Sequence, residues 1–190
     1  MFPLEQRYIV IPLIIKLESM RIRLFFLSFF LTIINVFPCT TFVLDSKDNL
    51  IFGRNLDWVS DHGLVVVNKR GIHKTAVVFP PDVPAKWTSK YGSITFNQFG
   101  KEFPYGGINE TGLVIEIMRS EADYPKPDSR PVVNELQWIQ YQLDNSATIE
   151  EVITNSKTVR IHAVKEELHF LICDNHGSRA VLELNIFWFY

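Results

Sequence analysis

Cysteine is nearly absent. Cys39 and Cys173 are the 2 cysteines among 190 residues, enough for one disulfide and not for a disulfide framework. There is no CxxC and no HExxH, and the histidines (His62, His73, His162, His169 and His176) fall at no metal-ligand spacing. No metal and no cofactor is therefore expected. Lys and Arg form no block beyond scattered pairs such as Lys69-Arg70, and the formal net charge is -2. Without a basic face, nucleic acid is excluded as the main partner. Internal repeats and low-complexity tracts are missing too. What remains is ordinary globular material: 47% apolar residues with 15 Phe, in a length that suits one domain.

The first 38 residues read as something other than fold. Arg21 and Arg23 form a basic start, and residues 24–36 are apolar apart from Ser28, Thr32 and Asn35. A run of about a dozen apolar residues suits the core of a secretion signal, whereas a membrane span needs roughly 20. Met20 then serves as the start. Residues 1–19 form an upstream extension whose translation the pattern does not require, residues 20–38 the signal, and residues 39–190 the mature chain. This points to a secreted or periplasmic protein. Phe37-Pro38 precede the expected cut where small residues are preferred. The alternative is an uncleaved N-terminal anchor, the only route by which this chain would meet a membrane.

Beyond Cys39 the pattern alternates strands and turns. Residues 39–44 (CTTFVL) and 50–53 read as two strands around the turn 46–49. Further strands are expected at 64–68, 75–79, 93–96 and 113–118, with turns at Gly106-Gly107 and at 109–112. Pro131 suits a first helical position, and Val132, Leu136, Ile139 and Leu143 recur at helical spacing. Thr148 with Glu151 fits a capping box opening a second helix. Residues 167–173 and 179–184 are strands around the turn 174–177. Strands, then helices, then strands describe an α+β fold with antiparallel sheet.

The stretch that carries chemistry is Cys39-Thr40-Thr41-Phe42, a short hairpin, then Gly53-Arg54-Asn55-Leu56-Asp57-Trp58. If processing makes Cys39 the first residue, that residue holds both a thiol and a free amine. Their unperturbed pKa values lie at about 8.5 and about 8, so the amine can take the thiol proton with no separate histidine base. Arg54, brought back by the hairpin, would favour the thiolate. Asp57 would accept hydrogen bonds from the amine. These three, Cys39, Arg54 and Asp57, are the candidate catalytic residues.

CTTF, the hairpin, GRNLDW, GGINETGLVIE and the ICDNHGSRAVLEL hairpin, in this order, resemble the choloylglycine hydrolase family of linear-amide hydrolases, which includes bile salt hydrolases and penicillin V acylases. The resemblance covers residues 39–184. It implies an αββα sandwich of the N-terminal-nucleophile type. It also implies attack by Cys39 on an amide carbonyl of a small N-acyl substrate, an acyl-thioester and its hydrolysis. Penicillin V, conjugated bile salts and N-acyl homoserine lactones are the implied candidates. By motif position Arg54 and Asp57 match the Arg and Asp that accompany the nucleophile. Asn109 matches a structural Asn of the turn motif.

The sequence also departs from the family. Members normally continue further and carry an oxyanion-hole Asn and a second active-site Arg there. This chain instead ends in the apolar residues 185–190, so it is expected to hold only the front half of the sandwich, as a frameshift, premature stop or fragmentary gene model would produce. The position ten residues after Asn109, an oxyanion-hole Asn in bile salt hydrolases, is Arg119. Two other readings stay open: an inactive truncated remnant, and a membrane-anchored binding domain that keeps residues 1–38. A homo-oligomer of the full-length form is allowed and not required. Plainer roles also stand beside the catalytic ones. Cys39 is a buried small residue or half of a disulfide to Cys173, and Arg54 and Asp57 form a surface ion pair. His169 is a strand residue, Trp58 and Trp87 are packing, and Asn109-Glu110-Thr111 is a formal glycosylation sequon.

Overall fold

In a computed structural model that describes residues 20–23, 25, 39–46, 49–58, 60–119, 124–162, 168–183 and 186–189, contacts divide the chain into Met1–Pro38 and Cys39–Tyr190. In the first unit residues 20–23 and 25 are helical. The rest of the expected signal, including Phe37-Pro38, lies outside the described residues. No described helix is long and apolar enough to cross a membrane.

The second unit begins with a hairpin of β1 (Thr40–Ser46) and β2 (Asn49–Asn55). Five short strands follow: β3 (Leu64–Asn68), β4 (His73–Thr75), β5 (Lys86–Thr88), β6 (Ser93–Asn97) and β7 (Pro104–Asn109). Next come β8 (Val114–Arg119), β9 (Val132–Asn134), helices α1 (Glu135–Asn145) and α2 (Ile149–Ser156), β10 (Arg160–His162), β11 (Leu168–Cys173), β12 (Arg179–Glu183) and β13 (Ile186–Phe189). Seven strands make one antiparallel sheet in the order β13-β12-β11-β8-β7-β6-β3. The expected α+β class with antiparallel sheet is what the chain forms.

Two-residue alternation decides what each face of this sheet meets. Ile115 and Ile117 of β8 and Phe170 and Ile172 of β11 point to one side, where α1 covers them, and all four are buried. Trp138 of α1 packs on Phe170 with ring centroids 4.4 Å apart. The opposite side carries Val65 and Val67, paired in register with Phe96 and Ile94, and Ile108 beyond them. Val65 and Val67 are 67% and 69% exposed, and Phe96 50%. The β1–β2 hairpin stands over part of this second side, where Thr41 Oγ1 meets Met118 Sδ at 3.0 Å and Arg179 of β12 meets Asp45 Oδ2 at 3.0 Å. Helix layer, seven-stranded sheet and overlying hairpin are the front part of an αββα arrangement.

Several local expectations change. The helix does not start at Pro131. Val132, Val133 and Asn134 pair in parallel with Arg160, Ile161 and His162. Asn134 then caps α1 by accepting from the backbone of Leu136 and Gln137. β-branched residues beside a partner strand outweigh the helical spacing that begins at Val132. Residues 75–79 are not one strand, because β4 ends at Thr75 after pairing with β5, which the sequence reading passed over. Gly106 and Gly107 lie inside β7 and make no turn. A Cβ on Gly106 would sit 2.0 Å from Glu116 Oε2, and one on Gly107 would sit 2.5 Å from the Ile94 carbonyl oxygen. Both glycines permit close approach, the other reason for glycine in a strand. Thr148 caps α2 as expected, with its Oγ1 accepting from Glu151 N at 3.3 Å, while the Glu151 carboxylate accepts from Ala147 N at 2.7 Å and not from Thr148 N.

Candidate active site

The hairpin register decides what stands beside Cys39. Thr40 pairs with Asn55 and Thr41 with Arg54. The ladder therefore places Cys39 one step further, level with Leu56, and puts Cys39, Thr41, Arg54 and Leu56 on a single face. Arg54 is the diagonal neighbour of Cys39, a relation that sets Cα atoms about 7–8 Å apart. On the other face the Phe42 ring lies over Gly53, where a Cβ would come within 2.1 Å of it. The Cys39 thiol donates a long contact of 3.7 Å to the backbone carbonyl of Asp57. Cys39, Arg54 and Asp57 are thus gathered at one end of the hairpin.

Arg54 does not float free. Its Nη1 donates to Glu116 Oε2 at 2.7 Å and to the Tyr105 carbonyl at 3.4 Å. The Tyr105 ring lies 6.0 Å from the guanidinium carbon. Arg54 and Glu116 side chains are only 11% and 7% exposed. Nε and Nη2 of Arg54 are buried with no hydrogen-bond partner among the described residues. Burial pushes the Glu116 carboxyl up to about 7, with Arg54 pulling in the opposite direction. The reading from sequence missed Glu116. Its signal was an acidic residue inside the apolar run Leu113-Val114-Ile115-Glu116-Ile117, matched by a double glycine in the strand before.

Several remaining residues have settled structural roles. Asn109 donates from Nδ2 to the carbonyls of Leu143 and Ser146, and its Oδ1 accepts from Thr111 and Leu113. Buried and fully bonded, it ties the turn to the end of α1 and leaves no room for a sugar. Cys173 is a buried free thiol, as Cys39 is a half-buried one, so the two form no disulfide. Burial pushes the Cys173 thiol up, keeping it protonated. Trp87 bonds Asp144 at 2.7 Å and packs edge-on to Tyr141, while Trp58 packs edge-on to Tyr105. His169 sits opposite Met118 in register, and burial pulls its pKa down. Arg119 is exposed at the end of β8, opposite Leu168.

A cavity of about 740 Å³ opens between the hairpin and the sheet. Leu50, Phe52, Leu56, Phe96, Ile108 and Val114 line it, with Arg54, Glu116 and Asp174 as charged groups in its wall. Cys39 is not among the lining residues, though Leu56, level with it in the ladder, is. Among the described residues no three His, Cys, Asp or Glu side chains gather as a metal site requires.

Comparison with known proteins gives one consistent answer. The family model described as linear amide C-N hydrolases, choloylglycine hydrolase family, matches residues 39–185. A penicillin V acylase of Pectobacterium atrosepticum is 28% identical, over 76% of this chain and 44% of its own length. The solved structure of penicillin V acylase from Agrobacterium tumefaciens has a TM-score of 0.68 and 30% identity, covering 80% of this chain and 49% of that one. A variant of conjugated bile acid hydrolase from Clostridium perfringens has a TM-score of 0.66 at 22% identity, a likeness of fold, and is covered over 51% of its chain. This chain spans about half the length of the relatives it matches. With the N-terminal hairpin, the antiparallel sheet and a match from residue 39 to residue 185, the chain belongs to the choloylglycine hydrolase family of linear amide C-N hydrolases.

Proposed function

We propose that the protein carrying this chain hydrolyses the amide bond of small N-acyl substrates with Cys39 as its N-terminal nucleophile. The observation that carries this reading is the hairpin register, which brings Arg54 diagonal to Cys39 and sets the thiol against the backbone of Asp57. Removal of the chain up to Pro38 frees the Cys39 amine. That amine takes the proton from the thiol, and the thiolate attacks the acyl carbonyl carbon. As the tetrahedral adduct collapses, the C–N bond breaks and the leaving amine takes the proton from the ammonium. The same amine then accepts a proton from water, whose oxygen attacks the thioester and releases the acid and the thiol. Arg54 favours the thiolate by its charge, and the Asp57 carboxylate holds the ammonium form. With residues 20–38 read as a secretion signal, the mature protein is secreted or periplasmic.

The acyl part of the substrate is apolar on this reading. The names of the relatives supply penicillin V and conjugated bile acids as the first compounds to assay. Hydrolysis of penicillin V that disappears in Cys39→Ala would support the reading. Hydrolysis that survives Cys39→Ala would refute it. A second reading, an inactive remnant, draws on the exposed sheet face of Val65, Val67, Ile94 and Phe96. An exposed apolar face of this kind favours association over catalysis. The 190-residue chain expressed by itself is therefore expected to be poorly soluble and inactive, and turnover by it would overturn that expectation.

A further inference from the structure

We propose that Glu116 is the positioning residue of Arg54: its carboxylate, seated in the space that Gly106 leaves by lacking a Cβ, fixes the guanidinium through Nη1 and keeps Nε and Nη2 uncommitted at the Cys39 end of the hairpin. This rests on the reading of Cys39 as the nucleophile and adds a group to it.

The geometry carries the inference. Glu116 and Gly106 are register partners in adjacent strands. Any side chain at residue 106 would put its Cβ 2.0–2.3 Å from the carboxylate atoms of Glu116. Gly106 therefore opens the pocket in which Glu116 lies 7% exposed, and Arg54 closes it from the hairpin at 2.7 Å. A charged residue in the middle of a core strand is strongly destabilising unless it is paired. The pair also joins two separate structures, the hairpin and the seven-stranded sheet. Such a residue fixes where an arginine stands without touching the substrate.

Among the described residues, Arg54 is the group with a direct bond to Glu116. Cys39 and Asp45 share the hairpin face with Arg54. Tyr105 of β7 gives its carbonyl and ring to Arg54. On β11, Leu171 stands opposite Glu116, with His169 and Cys173 two positions to either side. Arg179 and Glu183 of β12 lie one strand further and bond or approach Asp45 and His169 instead.

The test is a double-mutant cycle on the protein at its natural length, with penicillin V hydrolysis and Cys39 alkylation by iodoacetamide as readouts. Glu116→Ala should lower kcat by about 10²-fold, the cost of a misplaced catalytic group, with a smaller change in KM. Glu116→Gln keeps an oxygen acceptor and should recover part of that loss. It should also remove from the alkylation-versus-pH curve any inflection that belongs to Glu116. In an Arg54→Ala background, Glu116→Gln should change neither readout, because a residue that acts through another has no effect once that other is gone. An undiminished effect in that background, or Glu116→Ala at the parent rate, would overturn the proposal. Should Glu116→Ala fail to fold, the Glu116→Gln arm of the cycle decides alone. Activity that persists in Cys39→Ala would instead reject the nucleophile reading, a separate outcome.

Discussion

At the scale of single residues, the site is an arrangement of proton positions. That Cys39, Arg54 and Asp57 meet at one end of the hairpin was legible in the sequence, because they stand at hairpin spacing. Glu116 was not, because nothing in a linear reading says that an acidic residue in β8 meets an arginine 62 positions earlier. Its carboxyl lies at about 7 in the fold, above the ordinary value of 4.5. The folded state therefore holds this proton more tightly than the unfolded chain does. That contribution is full below about 4.5 and is lost as pH rises through about 7, by at most about 3 kcal/mol. The melting temperature of the parent relative to Glu116→Gln should thus fall between pH 5 and pH 8. A difference independent of pH would contradict the assignment. Asn109→Ala should be costly, because it strands the carbonyls of Leu143 and Ser146 and the amides of Thr111 and Leu113. A loss of about 2–4 kcal/mol in a denaturant titration is expected.

At the scale of elements, the hairpin was readable from residues 39–53 and forms as Thr40–Ser46 against Asn49–Asn55. The start of α1 and the strand that holds Gly106 and Gly107 were not. In both places a partner strand decides the local structure: Arg160 to His162 for Val132 to Asn134, and the following strand with Glu116 for Gly106. Spacing along the chain does not record such partners. Two substitutions test the elements. Asn134→Ala removes the cap of α1 and its bond to the Val77 carbonyl, and should cost about 1–2 kcal/mol in thermal unfolding. Gly106→Ala should push the Glu116 carboxylate from its seat. It should lower kcat as Glu116→Ala does while leaving the far-UV circular dichroism of the sheet intact. Parent-like kcat in Gly106→Ala would mean that the close approach is dispensable.

At the scale of the whole molecule, one face of the seven-stranded sheet is covered by helices and the other only in part, by the hairpin. Val65, Val67, Ile94, Phe96 and Ile108 remain exposed. The 190-residue chain alone should bind a hydrophobic dye, and replacing Val65 and Val67 by Ser should reduce that binding and raise solubility without changing the helix-covered core. The α+β class could be read from the order of strands and helices, and the family from four motifs in order. The substrate could not be read, because none of these motifs specifies an acyl group.

The whole account depends on Cys39 carrying a free amine beside its thiol. N-terminal sequencing of the active, mature protein reads this directly. A chain that begins at Cys39 is the predicted result, and an active protein that still carries Pro38 before the cysteine would contradict it.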